Sequence, residues 1–317
     1  MSAVSTVSPS GVTGRLRVYA KLGKLSFYDY YLAAFVVWTA LPGPLLWGGR
    51  TWSVLLLHTV GYVGVVAATV ALDDVTGIRD GSDARNYSPE DGTLRDRSRK
   101  PLLSGALTVR QAELFGWGAA VWGAVFWGIA LAVAPERSLW ACVTLAAVLA
   151  SNVQYSYGLK ISYRGGQELI LLTPGLAVLV PYVLLTGEVT GLVVLETCLV
   201  GLWSLLVSLY SNMNDVEGDR LAGRRNLATL SSAAGYRRTV AAIHLLEPAV
   251  LVAAIALDAV PVWFAALVLP LWAVRARQAR AGLVRGDVLV ARVLGMKLHR
   301  WGVPVLVAAN VLALHTG

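Results

Sequence analysis

Charge is what this sequence has least of. Of its 317 residues, 15% are Asp, Glu, Lys or Arg and 56% are apolar, against about 25% and 45–50% in an average soluble domain. Charge that sparse cannot cover a soluble surface, and the mean hydropathy of +0.61 places lipid against much of the chain. Cysteine is scarcer still. Cys142 and Cys198 both fall in apolar stretches, with neither metal spacing nor a disulfide framework, and they read as small packing residues. No histidine–cysteine metal set, nucleophile elbow or phosphate-loop glycine pattern occurs. Residues 1–24, MSAVSTVSPSGVTGRLRVYAKLGK, have no apolar core ahead of their basic residues and do not read as a cleavable signal.

What the chain has in quantity is long apolar runs. A spanning helix needs about 20 mostly apolar residues, and nine stretches meet or approach that: 30–48, 53–72, 113–134, 138–155, 168–187, 190–211, 239–257, 259–275 and 301–316. Pro261, Pro270 and Pro304 blur the ends of the last two. The length would allow two soluble domains, but the runs recur throughout. Residues 1–26 therefore read as a polar cytoplasmic tail and 27–317 as a single transmembrane domain. With the N-terminus in the cytoplasm, 25 of the 27 Lys and Arg residues fall on the cytoplasmic side, all but Arg50 and Arg137. That asymmetry is the positive-inside rule, and it requires an odd number of spans. The expected placement is the cytoplasmic membrane, with the C-terminus outside. The same asymmetry accounts for the net charge of +8 through anionic lipid headgroups, without nucleic acid.

Function belongs in the long cytoplasmic loops. After the second run comes LDDVTGIRDGSD, with Asp73, Asp74, Asp80 and Asp83; after the sixth comes SNMNDVEGDRLAGRRNLATL, with Asn212, Asn214, Asp215, Glu217 and Asp219. Asp215 and Asp219, four apart, share a helix face; Asp73 and Asp80 do so if that helix persists, which Gly77 and Gly81 disfavour. Carboxylate oxygens suit Mg²⁺, which bridges to substrate phosphates, and a departing diphosphate needs its charge neutralised. The plain alternative is that acidic residues solvate an interface, but that does not explain two clusters with helical spacing on one side. Basic residues follow each cluster: Arg97, Arg99 and Lys100, then Arg220, Arg224 and Arg225. Lys160 and Arg164 sit in a short loop among Tyr155, Tyr157 and Tyr163. They are candidates to clamp phosphate oxygens, although topology alone also predicts basic loops. His58, His244 and Glu247 lie inside apolar runs, where ionisable groups are functional candidates or simply bonded to a neighbouring helix.

These features resemble the UbiA superfamily of intramembrane prenyltransferases over most of the chain, and most nearly its dihydroxynaphthoate branch. YSYGLKISYRGGQELILLTPGLAVLVPYVLLTG is similar to that branch's loop and fifth helix. NDVEGDRLAGRRNLAT is similar to the second aspartate motif, and DDVTGIRDGSD with SGALTVRQ to the first motif and the segment beyond it. One position departs: Gly77 stands where the family's first motif carries its next aspartate, and Asp73 stands for its opening asparagine. The resemblance implies an all-α integral membrane protein, with nine transmembrane helices around a central apolar cavity under a cytoplasmic polar cap. It implies Mg²⁺ held by Asp73, Asp74, Asp83, Asp215 and Asp219, of which Asp73, Asp74, Asp215 and Asp219 are catalytic. The diphosphate of an isoprenyl substrate would be bound by Asn212, Arg99, Lys100, Tyr155, Lys160, Arg164 and Arg224. The resulting allylic cation would be attacked by an aromatic or quinone-precursor acceptor. Two alternatives remain at this level: a UbiA-type terpene cyclase needing no acceptor, and a non-enzymatic transporter or lipid-binding protein.

Overall fold

The computed structural model describes residues 11–26, 30–87 and 99–315, and among them the chain is helical, with no strand. Two 31-residue helices organise it, α3 (Gly49–Arg79) and α9 (Gly191–Leu221). Before α3 lie α1 (Val12–Leu22) and α2 (Ala33–Ala40). After it come the short α4 (Ser82–Asn86), α5 (Val109–Val133) and α6 (Leu139–Val153). A pass broken at a 3-10 turn, Thr173–Gly175, divides into α7 (Gln167–Leu172) and α8 (Leu176–Thr186). Beyond α9 follow α10 (Leu227–Leu230), α11 (Ala233–Ala256), α12 (Phe264–Ala279) and α13 (Val288–Leu314).

Five of these segments are long and apolar enough to cross a membrane: α3, α5, α7 with α8, α9 and α11. The expected run at 30–48 contains only the eight residues of α2, followed by Pro42 and Pro44, where the chain turns into a short 3-10 segment. The run at 301–316 is the second half of a longer helix, since α13 begins at Val288 and carries Arg292, Lys297 and Arg300 ahead of its apolar part. Helix α3 does not fray at Gly77 as its glycines led us to expect, but continues to Arg79. Tertiary packing has overridden the propensity penalty of about 1 kcal/mol. Part of the expected polar tail is also ordered: α1 buries Leu22 completely, against Ala71 and Phe115.

Helix α9 is the axis of the bundle and packs on α13, α11 and α8, while α3 packs along α5. The α3–α5 seam depends on small residues. A Cβ on Gly64 would stand 2.7 Å from the Ala119 carbonyl and 2.8 Å from the Gly123 nitrogen. The backbones therefore approach as membrane helices do when packing rather than hydrophobicity joins them. The core runs from Val36, Val37 and Leu41 through Val183, Leu199 and Trp203 to Phe264, Leu298 and Leu306. Apolar residues also cover the outside. Leu114, Val121 and Trp122 on α5, Leu139 and Val143 on α6, and Leu245 and Val252 on α11 are all exposed. Water would not tolerate so continuous an apolar surface. Lipid accounts for it.

Of the ionisable groups inside apolar runs, none stands alone. Glu247 accepts from the Arg275 guanidinium at 2.6 Å, His244 meets the Tyr210 hydroxyl at 2.8 Å, and His58 stacks between Tyr62 and Trp127. These are helix-to-helix ties.

Candidate active site

Both acidic clusters lie at the C-terminal ends of the long helices, and the fold brings those ends together. Asp73 and Asp74 sit two turns before the end of α3. Asp80 caps that helix, and Gly81, in the left-handed region at φ 75°, then reverses the chain into α4. The reversal carries Asp83 back onto α3 beside Asp74 and places Asn86 against α9, where its amide donates to Asp219 Oδ1 at 3.2 Å. On α9, Asn212, Asp215 and Asp219 fall on one face by helical spacing.

A polar cavity of about 190 Å³ results, lined by Asp73, Asp83, Asp215 and Asp219 together with Lys24, Lys100, Arg224 and Arg292. Arg224 joins the two motifs. Its Nη2 donates to Asp73 Oδ1 at 3.2 Å, its Nε lies 3.9 Å from Asp219 Oδ1, and its guanidinium covers the Tyr163 ring at 4.8 Å. A chain of amides holds the α9 face rigid. Asn226 donates to Asp219 Oδ2 at 3.0 Å and to Gln167 at 3.2 Å, and Gln167 donates to Asn212 at 2.9 Å. Lys100 donates to Asp74 Oδ1 at 2.6 Å and to both oxygens of Asp83, at 2.8 and 3.0 Å.

The electrostatics follow from burial and these pairs. Burial works against charge on Lys100 and on Arg224, but the surrounding carboxylates outweigh it and hold both well above their usual values. Burial pushes the Asp83 carboxyl up to about 6; Lys100 opposes the shift and the charges of Asp74 and Asp73 add to it. Asn212 Nδ2 and Arg224 Nε are buried without a hydrogen-bond partner among the described residues. Leaving such donors unmet is costly, and both belong to the cavity wall. An anion's oxygens would satisfy them.

A second cavity, about 210 Å³ and mostly apolar, opens from the first and shares Lys24, Asp73, Tyr155, Leu171 and Ser208 with it. Its walls include Tyr30, Tyr62, Val66, Ile170 and Pro174. The helix break at Thr173–Gly175 lies on this wall, and irregular backbone at membrane depth is tolerated where it lines a cavity. The pair has one charged chamber and one greasy chamber, meeting at Asp73 and Tyr155.

Residues 36–299 match the UbiA prenyltransferase family. The chain belongs to the UbiA prenyltransferase family. It is therefore a prenyltransferase-type enzyme, and with its apolar helices an integral membrane protein. Three solved structures share the UbiA fold with it. One is the apo form of a UbiA homolog from Aeropyrum pernix K1, at 18% identity over 91% of this chain and 97% of that one, with a TM-score of 0.63. Another is a digeranylgeranylglyceryl phosphate synthase, at 13% identity, 95% and 98% coverage and a TM-score of 0.61. The third is a UbiA homolog from Archaeoglobus fulgidus bound to DMAPP and Mg²⁺, at 14%, 90% and 98%, with a TM-score of 0.57. No curated protein sequence matches the chain.

Of the residues expected in this UbiA site, Asp73, Asp83, Lys100, Tyr155, Asn212, Asp215, Asp219 and Arg224 line the polar cavity. Asp74 lies behind it, 0% exposed. Arg99, Lys160 and Arg164 are exposed and line neither cavity. Lys160 occupies the left-handed region at φ 52° and lies over the Tyr163 ring at 5.0 Å, on the outer side of its loop. Asp80 also turns away, accepting from the Tyr163 hydroxyl and from the Ser82 amide. Sequence reasoning missed Lys24, assigned to the tail, and Arg292, which lies ahead of the ninth apolar run. Asn86 and Gln167 carried no signal beyond lying near a motif.

The donor set fits a hard divalent cation, since Asp73, Asp215 and Asp219 offer only oxygens to the cavity. Among the described residues no three acidic, His or Cys side chains form a ready cage. A cation held here would have to complete its shell with waters and substrate phosphates, as Mg²⁺ does.

Proposed function

We propose that this UbiA-family enzyme transfers the prenyl group of an isoprenyl diphosphate to an aromatic or quinone-precursor acceptor within the membrane, with Mg²⁺ as cofactor. The observation that carries the reading is the joining of the charged and apolar chambers at Asp73 and Tyr155. An amphiphile with a diphosphate head and a hydrocarbon tail has that form. In support, the A. fulgidus homolog of the same fold is bound to DMAPP and Mg²⁺, and a second structure of a homolog from that organism is bound to GPP and Mg²⁺. The dihydroxynaphthoate branch remains our reading of the acceptor class, on the stretch from Tyr155 to Gly187.

In this reading Asp73, Asp215 and Asp219 would hold the cation, which would supply charge neutralisation to a departing diphosphate. Arg224 and Asn212 present their unmet N–H groups to phosphate oxygens, with Lys24 and Arg292 adding positive charge at the wall. Arg224 keeps its charge throughout, because the carboxylates around it hold the guanidinium protonated. The amide chain Asn226–Gln167–Asn212 fixes these donors before substrate arrives, so little reorganisation is left for the reaction. Below them Tyr155, Leu171 and Ile170 exclude water from the allylic carbon, and the Tyr30 and Tyr62 rings face the space where positive charge develops. We further read the apolar helices as nine membrane passes, with the polar chamber and N-terminus on the cytoplasmic side, because the basic residues gather there.

Product analysis by mass spectrometry tests this. Purified protein with Mg²⁺ and prenyl diphosphates of several lengths should yield a prenylated product only when an aromatic acceptor is supplied. A hydrocarbon or prenyl alcohol formed without acceptor would identify a cyclase instead, and full turnover in excess chelator would remove the metal.

A further inference from the structure

The first acidic motif is already neutralised from within the chain. Lys100 spends its N–H groups on three carboxylate oxygens, Asp74 Oδ1 and both oxygens of Asp83, at 2.6, 2.8 and 3.0 Å. All three side chains are buried: Asp74 at 0%, Lys100 at 4% and Asp83 at 8% exposure. Charge-assisted bonds of this length, away from water, are the strong kind, and removing any one partner leaves an uncompensated buried charge.

Residue 77 makes the arrangement possible. A Cβ on Gly77 would stand 2.6 Å from Asp83 Cγ and 2.8 Å from each of its carboxylate oxygens. No side chain at 77 can coexist with the Asp83 carboxylate where it stands. The absence of a side chain at 77, the chain reversal at Gly81 and the reach of Lys100 therefore form one unit.

We propose that Lys100 is a resident cation of this pocket: it keeps Asp74 and Asp83 as its own partners, withdraws both from divalent metal, and leaves one divalent cation to bind with diphosphate at Asp73, Asp215 and Asp219. The inference rests on reading the pocket as a diphosphate site. Its physical ground is distance and access. Mg²⁺ needs oxygens at about 2.0–2.1 Å, whereas these carboxylates are spread around an ammonium at hydrogen-bond length. A metal there would have to displace a buried Lys100 from both carboxylates that it bonds. Asp74 Oδ2, the one oxygen of the set that Lys100 does not use, is buried and lines neither chamber. Lys100 is among the residues that line the polar cavity, so its positive charge needs no recruitment from solution.

The test counts bound metal, by equilibrium dialysis of detergent-purified protein against Mn²⁺ with saturating inorganic pyrophosphate. The proposal expects about one Mn²⁺ per chain in the wild type and the same in Asp74→Asn, with the ion lost in Asp219→Asn. Lys100→Met should take up a second ion, because it leaves Asp83 without its cation and Asp74 with only Lys24, at 3.8 Å. Two ions in the wild type, or loss of an ion in Asp74→Asn, would overturn the proposal and leave the prenyltransferase reading in place. No Mn²⁺ in any variant would remove both. Asp74→Asn keeps the question open to refutation should Lys100→Met fail to fold.

Discussion

Replacing Arg224 by Met should make the stability of the protein depend on Mg²⁺. The guanidinium lies 3.2 Å from Asp73 Oδ1 and 3.9 Å from Asp219 Oδ1, with its side chain 10% exposed and those of its partners 23% and 5% exposed. Breaking a buried ion pair by removing one partner costs about 3–5 kcal/mol. Asp73 faces the cavity and is partly wet, so solvent screening brings the expected loss down to about 2–3 kcal/mol. That is roughly 30-fold or more in the ratio of folded to unfolded protein. Methionine keeps most of the apolar stem, so the loss reports charge more than packing. A divalent cation entering between Asp73 and Asp219 would restore the missing charge and stabilise by mass action. Denaturant unfolding in detergent should therefore show the full deficit in EDTA and a smaller one in millimolar Mg²⁺, while turnover stays low because a phosphate donor is gone. A deficit equal in EDTA and Mg²⁺ would show that no cation binds between those carboxylates. No deficit in EDTA would show that the pair contributes nothing.

Asp215→Asn and Asp219→Asn should each lower turnover by about a hundredfold or more, measured with saturating Mg²⁺ and prenyl diphosphate, since each removes a charged oxygen from the metal-facing wall. Tyr62 separates the apolar chamber from a small void lined by His58, Trp127 and Leu145; Tyr62→Ala should join them and shift preference toward a longer prenyl diphosphate, read as the ratio of kcat/KM values for two chain lengths. Gly77→Ala should push Asp83 off Lys100 and cost about 1–3 kcal/mol by overpacking; a stability equal to wild type would show that Asp83 has another place to go. A reporter fused after Gly317 should be outside the cell and one inserted near residue 91 inside; both on one side would refute the topology.

The two motifs were legible because their information is local. Asp215 and Asp219 are four apart, α9 is predominantly apolar up to Tyr210, and both facts survive folding unchanged. Asp73 and Asp74 likewise end an apolar run. What was not legible depends on long-range geometry. Lys24 belongs to a segment that reads as a polar tail, yet Leu22 anchors that segment and sets the lysine where the two chambers meet. Arg292 lies before the ninth apolar run, and only the continuous helix α13 carries it to the site. Lys160 and Arg164 were candidate phosphate ligands from their place in a short loop, but a short loop has two sides and the residue pattern does not say which faces inward. Asp83 could be named as a ligand, but not paired. Its distance to Lys100 is decided by the turn at Gly81 and the bare α-carbon of Gly77.

The lengths of α3 and α9 carry a functional consequence of their own. At 1.5 Å per residue, 31 residues rise about 46 Å, whereas the hydrocarbon core is about 30 Å thick and takes about 20 residues. Counted from Gly49, about 20 residues end near Thr69; counted from Gly191, they end near Tyr210. Every acidic residue of the polar chamber lies beyond those points, and Thr69 and Ser208 line the apolar chamber at the boundary. A single pair of overlong helices thus sets two dielectric environments in one continuous cavity. Charges on the surplus turns are paired, among them Asp73 with Arg224 and Asp74 with Lys100, which offsets their desolvation. The chamber below is mostly apolar, and in the proposed reaction it would limit the access of water to a carbocation. Shifting either cluster one turn toward the N-terminus would bring its first carboxylate to the edge of the hydrocarbon. Shifting it one turn away would separate the diphosphate from the tail's cavity by about 5 Å. The position of the motifs along their helices is therefore as much a requirement of the chemistry as the identity of the residues.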